Sequence, residues 1–223
     1  MIFTPDFFSM LKTVFIANLI GTFFYAYAFY ITKKAGLKKN TPSFDSVLIS
    51  IVNSLLVMIG FGLFAPLNVH FWPFYRTMTQ LFIGTLFVSF YTDLKTFLIS
   101  RTVTLYLVPF IWIATYLGYL PLSLIHSIIG AFCGYAMLWT VGKVAFYFRK
   151  IESLGQGDID LLAFIGAFLG PIGCWSSLLI GSIVGSIFSI IYLLTTQQKN
   201  LRTIKIPFGT FLTTGAIVTL FFL

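Results

Sequence analysis

The chain has 223 residues, of which 58% are hydrophobic and only 9% charged, with a formal net charge of +8 and a mean hydropathy of +0.97. A water-soluble domain carries about 25% charged residues, so this composition excludes a soluble globular protein and implies one all-α bundle of membrane helices over residues 1–223. The positive charge does not indicate nucleic-acid binding, because the basic residues lie in short clusters between apolar segments, as topology signals do.

Apolar runs are expected to form helices at Leu11–Ile31, Val47–Leu67, Met78–Tyr91, Val103–Leu120, Leu122–Val141, Ile159–Gly170, Ser176–Leu194 and Ile206–Leu223. Crossing a bilayer takes about 20 residues, and six of the eight meet that length. Met78–Tyr91 reaches it by starting near Pro73 and running on to Asp93 and Leu94. Ile159–Gly170 reaches it only with help from the Gly155 region and Pro171–Gly173. The first run is too long for a cleaved signal peptide, and most of its basic flank follows it.

Counting about eight crossings puts Lys33, Lys34, Lys38, Lys39, Lys95, Arg101, Lys143, Arg149, Lys150, Lys199, Arg202 and Lys205 on one side, leaving Lys12 and Arg76 for the other. The positive-inside rule makes the first side cytoplasmic and the N-terminus external. Gly130, Gly134, Gly181 and Gly185 have the spacing that lets membrane helices approach closely. Cys133 and Cys174 read as buried small hydrophobes, and with His70 and His126 they build no metal motif.

Only six residues are acidic. Asp93 ends the third helix and Asp158 opens the sixth, so the topology sets both carboxylates at one depth on the cytoplasmic side. Acids in such positions are costly and mark functional sites. Each also has a plain structural reading: Asp158 as a helix cap, Asp93 as a helix-end partner of Lys95 or Arg101. Together they suit peptide hydrolysis by an aspartate pair. Two close carboxylates share a proton; the ionised one activates water and the protonated one donates to the developing oxyanion. An ion- or proton-coupled transporter using the same acids is the alternative, although transport acids belong nearer mid-membrane.

Several stretches resemble the type IV prepilin peptidases, aspartyl proteases of the GxGD type in the bacterial cytoplasmic membrane. Glu152-Ser-Leu-Gly-Gln-Gly-Asp158-Ile-Asp160 followed by the run to Gly170 is similar to the family's second-aspartate segment, E-x-x-G-x-GD-[IV]-K-L-L-A-x-x-G-x-x-x-G. Asp93–Thr104 resembles its first-aspartate segment, D-L-x-x-x-x-[IL]-P-[DN]-x-x-T. Ile206-Pro207-Phe208-Gly209-Thr210-Phe211 resembles a late IPFGPF stretch, and Leu19–Phe24 an early LIGSF stretch. The resemblance implies Asp93 and Asp158 as the catalytic pair, and Gly155 and Gly157 as a flexible lead-in to the second aspartate. Glu152, Pro207 and Gly209 are matched positions without an assigned role.

Ser100-Arg101 stands where the family has Pro-Asp or Pro-Asn, Asp160 where it has Lys, and Thr210 where it has its second Pro. Lys33–Ser46 is short and lacks the CxxC-bearing insertion associated with N-methylation, so the resemblance implies a peptidase-only form. It further implies no cofactor or metal, and prepilin-like or pseudopilin precursors of type IV pili or type II secretion as substrates.

Overall fold

The computed structural model describes Tyr30 and residues 72–101, 103–150, 154–196 and 206–222. The first two expected helices (apart from Tyr30), the basic loop between them and Glu152 lie outside those residues. The chain divides into two compact units, Met1–Val88 and Ser89–Leu223, and everything that follows about packing concerns the second. Among the described residues all regular structure is helical: α1 (Trp72–Thr96), a 3-10 turn (Leu105–Leu107), α2 (Val108–Tyr116), α3 (Leu124–Arg149), α4 (Gln156–Thr196) and α5 (Phe208–Phe222).

Helix α1 has the extent expected of the third apolar run once its ends are included. It stops one turn after Asp93. Phe97 takes a left-handed conformation (φ 55°) and its N–H bonds the carbonyl of Asp93 at 2.9 Å. Thr96 Oγ1 then accepts the N–H of Leu98 at 3.1 Å. The chain is thereby turned back beside the helix end, which brings Ile99 to the site.

The fourth run is shorter than its hydropathy suggests. Helix occupies Leu105–Tyr116, about 18 Å at 1.5 Å per residue, against the ~30 Å of a bilayer core. Gly118 (φ 75°) and Pro121 follow it, and hydropathy alone does not register such breaks. Helix α3 is longer than its run, because it continues through Lys143 to Arg149. Ser123 caps it, its hydroxyl accepting the N–H of His126.

Helix α4 is two arms. Gly170 has φ 75° and ψ −176° inside it, and Pro171 follows. Leu162 and Cys174 would stand about 18 Å apart on a straight helix. Instead, a β-carbon placed on Gly134 of α3 would find Leu162 O at 2.5 Å and Cys174 Sγ at 3.1 Å. The arms therefore fold back on one another at Gly170. The first, residues 156–169, is about 21 Å long and so remains short of a full crossing. Among the described residues, two helices are long and apolar enough to cross a membrane, Leu124–Phe148 and Gln156–Thr195; the second includes this break.

Small residues set the packing. Gly130 of α3 meets the backbone of Gly166 directly, and Ser127 Oγ donates to the carbonyl of Ala167 at 2.6 Å. On the second arm, a β-carbon on Gly181 would lie 2.7 Å from Phe211 O, and Gly215 of α5 abuts Ser177. Both small-xxx-small pairs are thus close-approach seams, one gripping the first arm and one gripping α5.

The break depends on a backbone geometry that only glycine adopts readily. Gly170→Ala is expected to lower stability by about 1–3 kcal/mol, read as thermal melting in detergent. Gly142→Ala, whose new methyl would find its nearest neighbour, Leu154 Cβ, at 3.6 Å, is expected to be neutral or stabilising.

Candidate active site

Asp93 lies on the last full turn of α1 and is 4% exposed. Its Oδ2 accepts the N–H of Thr210 at 2.7 Å and the Thr210 hydroxyl at 3.0 Å. Thr210 and Gly209 belong to the first turn of α5, where backbone N–H groups have no partner within the helix. A carboxylate from another helix supplies the acceptor, and the positive end of the α5 dipole favours its negative charge.

Asp158 stands at the third position of α4, behind Gly155 and Gln156. Its own N–H bonds the Gly155 carbonyl at 3.1 Å. Because the helix already begins at Gln156, Asp158 lies inside the first turn and is not the N-cap that the sequence suggested. Its Oδ2 lies on the Gly155 side and its Oδ1 on the Gly209 side.

The two acids meet at Gly209. A β-carbon added there would be 2.9 Å from Asp158 Oδ1 and 3.1 Å from Asp93 Oδ2, and in contact with Ile99 Cδ1. The sum of those distances bounds the separation of the two oxygens at about 6 Å. Gly209 is thus a position where any side chain would collide with both carboxylates. Gly157 works similarly on the opposite side of Ile99, since its β-carbon would fall 2.8 Å from Ile99 Cβ. It lies inside the first turn of α4, in contact, and is not part of a lead-in preceding the helix. Pro207 stands immediately before α5.

The pairing expected of Asp93 with Lys95 or Arg101 does not form. Lys95 Nζ lies 5.9 Å above the Tyr91 ring. Arg101 Nε is 2.8 Å from Asp160 Oδ2 instead, while Gln156 Nε2 reaches Asp160 Oδ1 at 3.4 Å. Ile99 and Gln156 shape the site without having been singled out by sequence, and Thr210, noted there only as a departure from the family's second proline, supplies two donors to Asp93. The signal for Thr210 lay in its being the first hydrogen-bonding side chain in the turn that opens α5.

The type IV leader peptidase family matches residues 80–190, which include both aspartates. A prepilin leader peptidase/N-methyltransferase of Aeromonas salmonicida is 30% identical over 179 residues, 78% of this chain and 55% of that protein. One from Escherichia coli strain K12 is 31% identical over 155 residues, 65% and 66% of the two chains. The chain belongs to the type IV leader peptidase family. A Burkholderia pseudomallei relative with the same name is 37% identical over 101 residues, 45% of this chain and 32% of its own length. This family member accordingly spans between about a third and two thirds of these relatives. No solved structure matches it.

Thr210→Val keeps the α5 N–H and the side-chain shape but deletes the hydroxyl donor. A hydrogen bond to a charged group is worth about 1.5–3 kcal/mol, and thermal melting should fall by that amount. In an Asp93→Asn background the same substitution should cost no more than about 1 kcal/mol, as for a neutral bond.

Proposed function

We propose that this chain is an aspartyl endopeptidase of the bacterial inner membrane that removes the basic leader of prepilin-like or pseudopilin precursors at the cytoplasmic face. The observation that carries the reading is the convergence of Asp93 and Asp158 on Gly209. Two acids that are 65 positions apart in an acid-poor chain come within about 6 Å of each other. The topology that goes with it has about eight crossings and an external N-terminus. Its support is the clustering of Lys and Arg described above.

The hydrogen bonds suggest how the pair divides its work. Asp93 accepts both the N–H and the hydroxyl of Thr210 and sits at a helix N-terminus. Donors aimed at a carboxylate favour its ionised form, so the shared proton rests on Asp158. Ionised Asp93 takes a proton from water as the water oxygen attacks the scissile carbonyl. Asp158 donates its proton to the carbonyl oxygen as that oxygen gains charge. Collapse of the tetrahedral diol then breaks the C–N bond: the proton held by Asp93 passes to the leaving amine, and one diol hydroxyl returns its proton to Asp158 as the carbonyl re-forms, restoring both acids. No covalent enzyme intermediate and no metal is required by this route.

The proposal covers the peptidase step alone. The names of the relatives join it to N-methylation, which we do not extend to this chain, since the stretch Lys33–Ser46 carries no cysteine.

Co-expression with a prepilin-like precursor, read as leader loss by mass, tests the proposal. The unaltered chain should cut, and Asp93→Asn and Asp158→Asn should each lower the rate by at least about 10²-fold, the scale of general acid–base catalysis. Gly209→Ala should also lose most cleavage, because its methyl group displaces Ile99 and both carboxylates. Failure of the unaltered chain on a panel of precursors, with no difference from the Asn variants, would overturn the proposal.

A further inference from the structure

The two positions where the chain departs in charge from the family pattern are in contact with each other. Arg101 occupies the site of the family's Asp or Asn, and Asp160 the site of its Lys. Arg101 Nε stands 2.8 Å from Asp160 Oδ2. Considered singly, each departure looks like erosion of a motif. Considered together, they are the two partners of one ion pair.

The geometry points to Arg101 and Asp160 as a positioning pair that holds the two aspartates in register. This inference rests on the peptidase reading of Asp93 and Asp158. Asp160 comes two residues after Asp158, in the opening turns of α4. Arg101 comes two residues after Ile99, in the segment that leaves the Asp93 helix. Ile99 is itself wedged between Gly157 and Gly209. An attraction between residues 101 and 160 therefore presses the wedge into place and fixes the first turn of α4 against the end of α1.

The burial is asymmetric, which explains why the attraction is favourable. The Asp160 side chain is fully buried and that of Arg101 is 53% exposed. A buried carboxylate without a counter-charge is strongly destabilising, while a half-exposed guanidinium keeps most of its hydration. The contact is one of charge. Although Nε and Oδ2 are in van der Waals range, Oδ2 receives no aligned hydrogen bond, and the neutral support comes from Gln156 on Oδ1. An interaction of that kind depends on sign and proximity more than on the fork geometry of arginine, so it should survive exchange of its partners.

The test is a charge-swap cycle on the full chain in detergent, with kcat and KM for a prepilin-like precursor and thermal melting measured for each variant. Arg101→Gln and Asp160→Asn should lower kcat by about 10- to 100-fold, the effect of a small misplacement of reacting groups, and leave KM within about twofold. Arg101→Lys should recover most of the rate lost in Arg101→Gln. Arg101→Asp and Asp160→Lys should each be worse, and the doubly exchanged chain should recover both melting temperature and kcat.

Normal kcat in a folded Arg101→Gln chain overturns the inference, as does a double exchange no better than its parents. Should the single exchanges fail to fold, the Arg101→Gln and Arg101→Lys rates still decide it. The outcome is separable from the peptidase reading. If the unaltered chain does not cut at all, that reading falls. If it cuts and Asp93→Asn does not, while Arg101→Gln is as fast as the unaltered chain, only the positioning role falls.

Discussion

The first turn of α5 donates a free N–H group to a carboxylate on another helix, and the site is organised around that interaction. Helix α5 needs an acceptor at its N-terminus because its first-turn N–H groups have no partner within the helix. Asp93 needs donors because it is almost completely buried. Each requirement is the solution to the other. The bond from Thr210 N–H to Asp93 joins residues 117 positions apart, so it fixes one end of α1, the start of α5 and, through Ile99, the first turn of α4.

The glycine seams make that junction possible. Helices α3 and α5 grip opposite arms of α4, each through backbone contacts that leave no room for a methyl group. The fold-back at Gly170 returns the second arm alongside α5, so that Gly181 packs against Phe211, two residues beyond Gly209. A straight α4 would carry its second half away from α5 and leave the site open on that side.

How much of this the sequence reveals depends on which residues are rare in their surroundings. Asp93 and Asp158 stand out because carboxylates are scarce in an apolar chain, and the same scarcity of charge made the helical runs and the extent of α1 readable. The glycine pairs were recognisable from spacing alone. Thr210 was not, since a threonine in an apolar run usually bonds its own preceding turn, as Thr213 and Thr214 do to the Thr210 carbonyl. The short fourth helix was hidden because hydropathy averages over Gly118 and Pro121. Arg101 and Asp160 misled for a different reason. Each was measured against a one-dimensional motif, in which residues 59 positions apart have no means of compensating for one another.

The long reach of the Asp93–Thr210 bond also has a consequence for the order in which the protein is made. Both carboxylates emerge from the ribosome before Gly209 and Thr210 do. Chains are synthesised N-terminus first, at roughly 5–20 residues per second, so for some seconds a growing chain carries Asp93 and Asp158 without the helix end that completes them. During that interval Asp93 lacks both of its Thr210 donors. The arrangement delays assembly of the aspartate pair until α5 has entered the membrane, so a truncated chain ending before that helix would contain both acids and still lack their shared setting.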